Sequence, residues 1–327
     1  MDKICLSVDI GSKNIVIANK ESQVILNEPS VVATANVNSK YSYVACGAEA
    51  TKSMQNIEPI KNGSICNVEA FVFMMKSFIN RLAPRKFLKN YTSVNVSVSC
   101  GLTNIEKRVI EDAFYKAGVT EVVIIESPLS VKAINSDKAM FLINIGADNT
   151  EIALVSDDGI INGCSIDVGG SDIDEAIFDY VGDKYRLVVN QLYCEDIKLG
   201  LASLEPNNLS TIVVKGDKVT SSTPNEVKLT ATELKPLVQG VINKIIEVAA
   251  SIMMMIPKSY QYIVEQNGIY LAGGTSKLPG IAEYFKDNLF VDVKIIDEPD
   301  LVVAQGGSKF FYDNGKLARM LNIDNLN

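Results

Sequence analysis

The chain has 327 residues, which is long for one hydrophobic core and predicts two domains. Its net charge of −8 argues against a general nucleic-acid binder, because such a protein needs a basic face to replace the counterions of phosphate. It contains no histidine, which excludes serine–histidine and cysteine–histidine catalytic systems and histidine-ligated metals.

Cysteine usage and apolar runs predict a cytoplasmic protein. The six cysteines are scattered and include no C-x-x-C pair, which favours reduced thiols over disulfides or a zinc site. The first residues, MDKICLSVDIG, enter an apolar strand at once, so no signal peptide is expected. The apolar run 248–256 is about half the length that spans a bilayer, ends at Pro257 and is interpreted as a buried helix end.

The first part of the chain alternates predicted strands and helices. Residues 6–17 read LSVDIGSKNIVI, an apolar strand, a glycine turn and a strand of β-branched residues. Residues 94–100 alternate with a period of two and predict another strand. Thr103 and Glu106 have the spacing of a capping box, so a helix is predicted from there to Gly118. The residues expected on its buried face are Ile105, Val109, Ala113, Phe114 and Ala117.

The second part repeats the opening pattern. Residues 141–154 read FLINIGADNTEIAL, and Asn144 falls on Asp9 at an offset of 144 − 9 = 135 residues. Two such units a domain apart suggest two similar α/β lobes that face each other, although two unrelated hairpins would show the same x-G-x turns. The strand at 269–272 runs into Gly273 and Gly274, which makes a third glycine turn.

Three local signals complete the α/β pattern. Residues 121–125 are a buried-type strand, and residues 157–159, Asp-Asp-Gly, predict a hairpin turn. Thr230 and Glu233 form a second capping box, which opens a long helix toward Pro257.

The glycine turns predict a binding site. In open α/β folds ligands bind beyond the carboxyl ends of strands, where backbone N–H groups and helix N-termini supply positive potential. Two facing turns would surround the phosphates of a nucleotide, and the third would lie under the adenine and ribose. None is a P-loop or a G-x-G-x-x-G, so the arrangement carries the prediction and no single motif does.

Seven longer motifs follow one another along nearly the whole chain. They are DIGSKN (9–14), ILNEPSVVA (25–33), VSCGLTNIEKRVIEDAFYKAG (98–118), DVGGSDIDEAI (167–177), CEDIK (194–198), KGDKVTSSTP (215–224) and YLAGGTSKLPGI (270–281). In this order they resemble MreB, the bacterial actin, and LNEPSVVA is specific to MreB-like proteins within the superfamily of actins, heat-shock chaperones and sugar kinases.

The resemblance implies a two-lobed, U-shaped α/β fold with duplicated ribonuclease-H-like subdomains around a nucleotide cleft. Lobe I would span 1–140, with a small subdomain IB at about 32–66. Lobe II would span 141–327, with subdomain IIB at about 178–255. ATP or ADP with Mg²⁺ would lie in the cleft, and copies of the chain would polymerise head to tail.

The resemblance also implies roles for individual residues. Asp9 would face a hydrated Mg²⁺, a hard cation that carboxylates commonly hold through water. Glu195 and Lys198 would hold the ribose and adenine edge, although on spacing alone they could be a solvated ion pair on a helix. The first phosphate turn would comprise Gly11, Ser12, Lys13 and Asn14. The second phosphate turn would comprise Gly146, Ala147, Asp148, Asn149 and Thr150. The turn that closes around the base would comprise Gly273, Gly274 and Thr275.

The candidate catalytic positions depart from the family pattern. The second phosphate turn begins with Asn144 where the family has Asp, and a neutral amide cannot help to organise Mg²⁺ by its charge. Asp148 adds a negative charge near the expected γ-phosphate unless its side chain points to solvent. Ser127 stands before the proline where the family has the Glu that positions the attacking water, and Glu126 should point the other way in an extended strand. We expect ATP to bind with reduced affinity and to be hydrolysed slowly or not at all. A register shift in which Glu126 and Asp148 take over is the alternative.

Residues 84–89, PRKFLK, predict a membrane contact. Phe87 and Leu88 lie among three cations, a combination that fits insertion into an anionic membrane surface, and MreB-like proteins use an apolar loop here. A packed Phe87 with solvated lysines is the alternative. The N-terminal amphipathic helix of some relatives is not expected.

The sequence therefore predicts a nucleotide-binding, polymerising cytoskeletal protein at the inner face of the cell membrane. Its partners would be other copies of the chain and cell-shape or wall-synthesis proteins, with no nucleic acid. The alternatives are a non-polymerising adaptor or pseudo-ATPase, a plasmid-segregating filament, and a sugar or acetate kinase. The kinase would need a substrate-binding insertion and a catalytic base that the sequence does not offer.

Overall fold

The computed structural model of the chain describes residues 3–37, 40–82, 91–219, 221 and 223–321. The predicted membrane residues Phe87 and Leu88 lie outside the described residues.

The strands are β1 (Lys3–Ile10), β2 (Asn14–Asn19), β3 (Val24–Pro29), β4 (Val32–Val37), β5 (Lys40–Cys46), β6 (Asn56–Ile57), β7 (Ile60–Lys61), β8 (Ser64–Ile65), β9 (Tyr91–Val98), β10 (Glu121–Glu126), β11 (Ala139–Ile145), β12 (Thr150–Ser156), β13 (Gly159–Ile166), β14 (Leu187–Val188), β15 (Thr211–Lys218), β16 (Pro224–Thr230), β17 (Ile269–Ala272) and β18 (Val293–Ile295).

The helices are α1 (Val68–Leu82), α2 (Asn104–Ala117), α3 (Ser127–Ala133), α4 (Gly170–Tyr185), α5 (Gln191–Leu201), α6 (Ala231–Met254), α7 (Lys258–Asn267), α8 (Ile281–Leu289), α9 (Val302–Lys309) and α10 (Asn314–Met320), with 3₁₀ turns at Gly47–Lys52 and Gly274–Lys277.

Two five-stranded sheets share one strand order. The first is β10-β9-β1-β2-β3 and the second is β18-β17-β11-β12-β13. In each sheet the central strand, β1 or β11, pairs antiparallel with its own hairpin partner and parallel with a later strand. The predicted duplication is confirmed, because residues 6–17 and 141–154 occupy equivalent places. We call the part built on the first sheet lobe I and the part built on the second sheet lobe II.

Besides the hairpin of β7 and β8, two three-stranded sheets accompany the main ones. One has the order β5-β4-β6 and the other β14-β15-β16. They lie within the ranges expected for subdomains IB and IIB, whose bounds remain a prediction.

Helix α2 follows its predicted signals except at its buried face. The Thr103–Glu106 capping box forms, and the helix ends at Gly118 with a φ of 101°. The predicted buried face is wrong at its start, because Ile105 is 78% exposed and Ile110 is buried instead. The ring of Phe114 packs against Phe71 of α1, so contact with α1 selects the buried face.

Helix α6 is the long core helix of lobe II. The second capping box forms at Thr230, and nine residues of the helix are buried. By length and composition α6 could cross a bilayer, which the apolar run 248–256 did not predict. Buried helices in the cores of soluble proteins have the same length and composition. The predicted buried end is wrong at Met254, which is 83% exposed, while Ile256 is buried.

Two short helices join the lobes. Helix α3 carries the chain from β10 of lobe I to β11 of lobe II, and α9 packs against both α3 and β1. A Cβ built on Gly306 of α9 would lie 1.9 Å from the carbonyl oxygen of Ser130 in α3. The two backbones therefore approach as closely as a glycine allows.

Candidate nucleotide cleft

A cavity of about 450 Å³ lies between the two main sheets, where the three glycine turns meet. The turns follow β1, β11 and β17, so equivalent strand ends of the two lobes face each other. The predicted site residues that line it are Asp9, Gly11, Ser12, Lys13, Asn14, Ser127, Asn144, Gly146, Ala147, Asn149, Glu195, Lys198, Gly273, Gly274 and Thr275.

The first turn is held by Ser30, the residue that follows β3. The hydroxyl of Ser30 donates to the carbonyl of Gly11 at 2.6 Å, and the backbone N–H of Ser30 donates to the carbonyl of Lys13 at 2.9 Å. Asp9, at the end of β1, lies at the floor of the cleft. Burial there raises the pKa of the Asp9 carboxyl to about 7.

The second and third turns lie against each other. Thr275 donates through its hydroxyl to the carbonyl of Gly146 at 2.8 Å, and the N–H of Gly170 donates to the same oxygen at 3.0 Å. Gly273 has a φ of 83°, and a Cβ there would lie 2.2 Å from the carbonyl oxygen of Ile145. Glycine is therefore required for this close approach of the turns.

Glu195 and Lys198 do not form the ion pair with each other that their spacing on one helix would allow. Glu195 forms a salt bridge of 2.6 Å with Lys13, on the opposite side of the cleft. Lys198 contacts Asp174 at 2.7 Å and donates to the carbonyl of Gly170 at 2.9 Å. The helix α5 thus presents Glu195 to the cleft mouth while Lys198 fixes the start of α4.

The sequence reasoning missed Glu151, which is the buried acid opposite Asn144. Its side chain is 3% exposed and lines the cleft. Asn144 donates through Nδ2 to one carboxylate oxygen at 2.7 Å, and the N–H of Cys100 donates to the other at 2.7 Å. Burial raises the pKa of Glu151 to about 7, against the opposing effect of these hydrogen bonds. The antiparallel register that pairs residue 144 with residue 151 would have revealed it.

The structure gives Ser127 and Glu126 other partners. The Ser127 hydroxyl donates to the carbonyl of Val98 at 2.9 Å, and the side chain is buried. Glu126 forms a salt bridge of 2.7 Å with Lys107 and is not among the residues that line the cleft. The prediction that Glu126 points away is in agreement with this contact.

Asp148 and Thr150 also lie outside the cleft lining. One oxygen of Asp148 accepts a hydrogen bond from the Ser171 hydroxyl at 2.8 Å, and the other faces the N–H of Asn62 at 3.4 Å. The Thr150 hydroxyl donates to the carbonyl of Val168 at 2.6 Å. Both Asp148 oxygens therefore face protein donors, and a place for its charge beside the γ-phosphate stays a prediction.

The floor of the cleft fits a divalent cation. Glu151 is buried and Asp9 is half-buried, both carboxyl groups have raised pKa values, and neither forms a salt bridge among the described residues. The lysines that line the cleft pair with other acids. Within the same part of the chain no cluster of three metal-ligating side chains occurs.

The equivalent sheets, the paired glycine turns and the cleft between them define a two-lobed protein of the actin-like class. The chain belongs to the MreB/Mbl protein family, whose family model matches residues 3–319.

Curated relatives match over more than nine tenths of their length. The cell shape-determining protein MreB of Escherichia coli (strain K12) is 27% identical over 319 residues, which cover 93% of this chain and 92% of the relative. The cell shape-determining protein Mbl of Bacillus subtilis (strain 168) is 26% identical over 330 residues, which cover 96% and 97%.

Solved structures share the fold. MreB 5 of Spiroplasma citri bound to AMPPNP superposes with a TM-score of 0.87 at 23% identity, covering 97% of this chain and 98% of that one. The MamK double helical filament gives a TM-score of 0.81 at 18% identity, covering 95% and 99%.

Proposed function

We propose that this chain is a polymerising cytoskeletal protein that binds ATP or ADP with Mg²⁺ and acts in cell shape. The observation that carries the proposal is the cleft of about 450 Å³ between equivalent sheets, with three glycine turns around it. The relatives from E. coli and B. subtilis are named cell shape-determining proteins, which supports the cellular role. Fold neighbours solved with AMPPNP and as a filament support nucleotide binding and self-association.

The residues of this chain divide the work of holding the nucleotide. Backbone N–H groups of the turns at Gly11 and Gly146 would face the phosphates, as glycine turns do in phosphate sites. Asp9 and Glu151 would hold the magnesium ion and its waters, and the ion would neutralise phosphate charge. Glu195 would accept hydrogen bonds from the ribose at the mouth of the cleft.

Hydrolysis in this cleft is proposed to be slow. The Ser127 hydroxyl already donates a hydrogen bond to a backbone carbonyl. Glu126 forms its salt bridge with Lys107 outside the cleft. Asn144 is neutral and donates to Glu151. No acid therefore occupies either position at which the family places one, and losing a water-positioning group typically lowers a rate about 100-fold or more.

Phosphate release from purified filaments tests the slow hydrolysis. We expect turnover about 100-fold below that of the E. coli relative under the same conditions. The double change Asn144→Asp with Ser127→Glu should raise it, because it restores both acids. If the unchanged chain turns over ATP as fast as the relative does, the proposal of slow hydrolysis is wrong.

Sedimentation and negative-stain microscopy with ATP, ADP and no nucleotide test the filament.

Gly273→Ala should weaken nucleotide binding at least tenfold, because the added methyl group meets the Ile145 carbonyl and the φ of Gly273 is positive. Gly182→Ala in α4 is the matched control, since a Cβ there meets nothing within 4 Å. Nucleotide binding without filaments in any of these conditions would favour the non-polymerising adaptor.

Membrane association remains a proposal that rests on sequence. Phe87 and Leu88 lie outside the described residues, and the pattern PRKFLK supports insertion into an anionic surface. Changing both to serine should reduce pelleting with anionic liposomes, whereas Phe290→Ser at an exposed position of lobe II should not. Equal pelleting of the unchanged chain and the double variant would reject the membrane loop.

A further inference from the structure

A second cavity, of about 140 Å³, lies at the other end of the lobe I sheet. Strands β1, β9 and β10 run parallel to one another, and the nucleotide cleft lies beyond the carboxyl end of β1. Residues toward the amino ends of these three strands line the second cavity. None of its lining residues also lines the nucleotide cleft, so the two cavities are separate.

The floor of this second cavity is the polar face of the sheet. Side chains along a strand alternate between the two faces, and Leu6 belongs to the hydrophobic core of lobe I. The opposite face carries Cys5, Ser93 and Asn95, of which Ser93 and Asn95 are each 3% exposed. Asn95 donates through Nδ2 to the carbonyl of Gly307 at 2.9 Å, which places the cavity directly beside the covering helix α9.

The walls of the second cavity are apolar. Phe310, Phe311 and Leu317 come from the segment after α9 and from α10, and Val123 comes from β10. Phe310 and Leu317 are buried members of a hydrophobic cluster, so packing on their other side holds them in place. An apolar group that enters the cavity would therefore meet walls that are already formed.

One positive charge at the second cavity is left without a balancing acid. The charged residues that line it are Lys3, Lys20 and Glu121, and Lys3 forms a salt bridge of 3.1 Å with Glu121. Lys20 is half-buried, and its Nζ lies 4.7 Å from the centre of the Tyr312 ring. In the described part of the chain Lys20 forms no salt bridge. Its ammonium group therefore suits a ligand with one negative charge.

We propose that this second cavity binds a small carboxylic acid with an aromatic or branched apolar body, its carboxylate beside Lys20 and its body against Phe311 and Leu317. A cavity of about 150 Å³ holds a benzene ring, whereas pockets for drug-sized ligands measure about 300–1,000 Å³. The volume therefore matches one ring or one branched alkyl group with a charged end. The site lies outside the nucleotide cleft, so its ligand is independent of the proposed function.

Alkylation of Cys5 by N-ethylmaleimide reports the occupancy of the second cavity, because the half-buried Cys5 thiol lines it. Phenylacetate has a ring and a charge, phenylacetamide has the same shape without the charge, and acetate has the charge without the ring. Phenylacetate at about 10 mM should slow the alkylation of Cys5 about fivefold, which corresponds to a Kd of about 2.5 mM. The other two compounds should slow it less than about twofold at the same concentration.

Cys66 is the internal control for the alkylation rates. It is exposed and does not line the second cavity, so its rate should be the same with all three compounds. Mass spectrometry of one digest measures Cys5 and Cys66 together.

Variants of Lys20 test the charge recognition. Lys20→Gln keeps a polar side chain but removes the cation, so it should raise the Kd of phenylacetate about fivefold. Lys20→Arg keeps the charge and should retain the protection of Cys5. Lys294→Gln is the matched control, because Lys294 Nζ lies 5.4 Å from the centre of the Tyr270 ring in lobe II and does not line the cavity. That control should leave the Kd unchanged.

Four results would overturn the proposed acid site. Equal protection by phenylacetate and phenylacetamide would mean that the charge is not recognised, and equal protection by acetate would mean that the apolar walls are not used. The other two are no protection of Cys5 in the folded, unchanged chain, and equal effects of Lys20→Gln and Lys294→Gln. Protection should be the same with and without ADP, because the cavities share no lining residue. A chain that neither binds nucleotide nor assembles would contradict the proposed function alone.

Discussion

Glu151 is held from two directions, and this decides what residue 144 can be. Its carboxylate accepts from Asn144 in its own sheet and from the Cys100 N–H in the other lobe. A carboxylate at position 144 would turn the first of these contacts into a repulsion between the buried Glu151 and a half-buried neighbouring acid. The neutral amide is therefore matched to Glu151 as well as being a departure from the family pattern.

Asn144→Asp should destabilise the chain in the absence of magnesium. We expect a loss of about 3 kcal/mol in the free energy of unfolding at pH 7.5, because an uncompensated charge would be buried beside Glu151. Urea unfolding in EDTA measures it, and Mg²⁺ with ATP should recover part of the loss. Asn243→Asp is the control, since that side chain accepts a hydrogen bond from Tyr284 and an acid accepts equally well. Equal losses in both variants would contradict this account.

At the scale of elements, the connection between the lobes depends on the contact between α3 and α9. The carbonyl of Ser130 lies where a side chain of Gly306 would be, and the Cβ of residue 307 would lie 2.5 Å from the Ser7 hydroxyl oxygen in β1. Any larger residue at either glycine must push α9 away from α3 or from lobe I. These glycine contacts therefore fix the distance between α3 and α9.

Gly306→Ala should cost about 3 kcal/mol of stability, the upper range for overpacking in a well-packed interior. Gly240→Ala is the matched control, because it also lies inside a helix but a Cβ there meets nothing within 4 Å. That control should be neutral or stabilise the chain by up to about 1 kcal/mol through helix propensity. Thermal or urea unfolding of the two variants compares them, and a Gly306→Ala protein as stable as the unchanged chain would refute the close contact.

Local signals in the sequence predicted the elements that depend on nearby residues. The capping boxes at Thr103 and Thr230 and the glycine turns after β1, β11 and β17 are of this kind. The buried face of α2 was predicted wrongly at Ile105, because the neighbour that covers a helix is distant in sequence. Glu151 was missed for the same reason, since its place in the cleft follows from strand register.

For the whole molecule, the absence of histidine makes pH a clean probe of the cleft. Between pH 5 and 7 no side chain of ordinary pKa titrates in this chain. Asp9 and Glu151, with pKa values raised by burial to about 7, are protonated there in the folded state and ionised in the unfolded state. The folded chain then binds more protons, so its stability should fall as the pH rises through this window.

The size of this fall is up to about 1.4 kcal/mol per pH unit for each group. Urea unfolding of the nucleotide-free chain in EDTA, from pH 5 to 8, should show the slope and its disappearance above about pH 7.5. The variant Asp9→Asn with Glu151→Gln should be flat across the same range. A slope that survives in that variant would place its origin elsewhere in the molecule.

The shared strand order of the two sheets has a consequence for how a duplicated unit diverges. The antiparallel register pairs Asp9 with Val16 in the first unit and Asn144 with Glu151 in the second. These pairs are equivalent positions, separated by 144 − 9 = 135 and 151 − 16 = 135 residues. Each half of the molecule thus contributes one carboxylate to the same floor, the first from its central strand and the second from the neighbouring strand of the hairpin. The two units keep the same backbone arrangement. The acid lies on the central strand in the first unit and at the paired position of the neighbouring strand in the second.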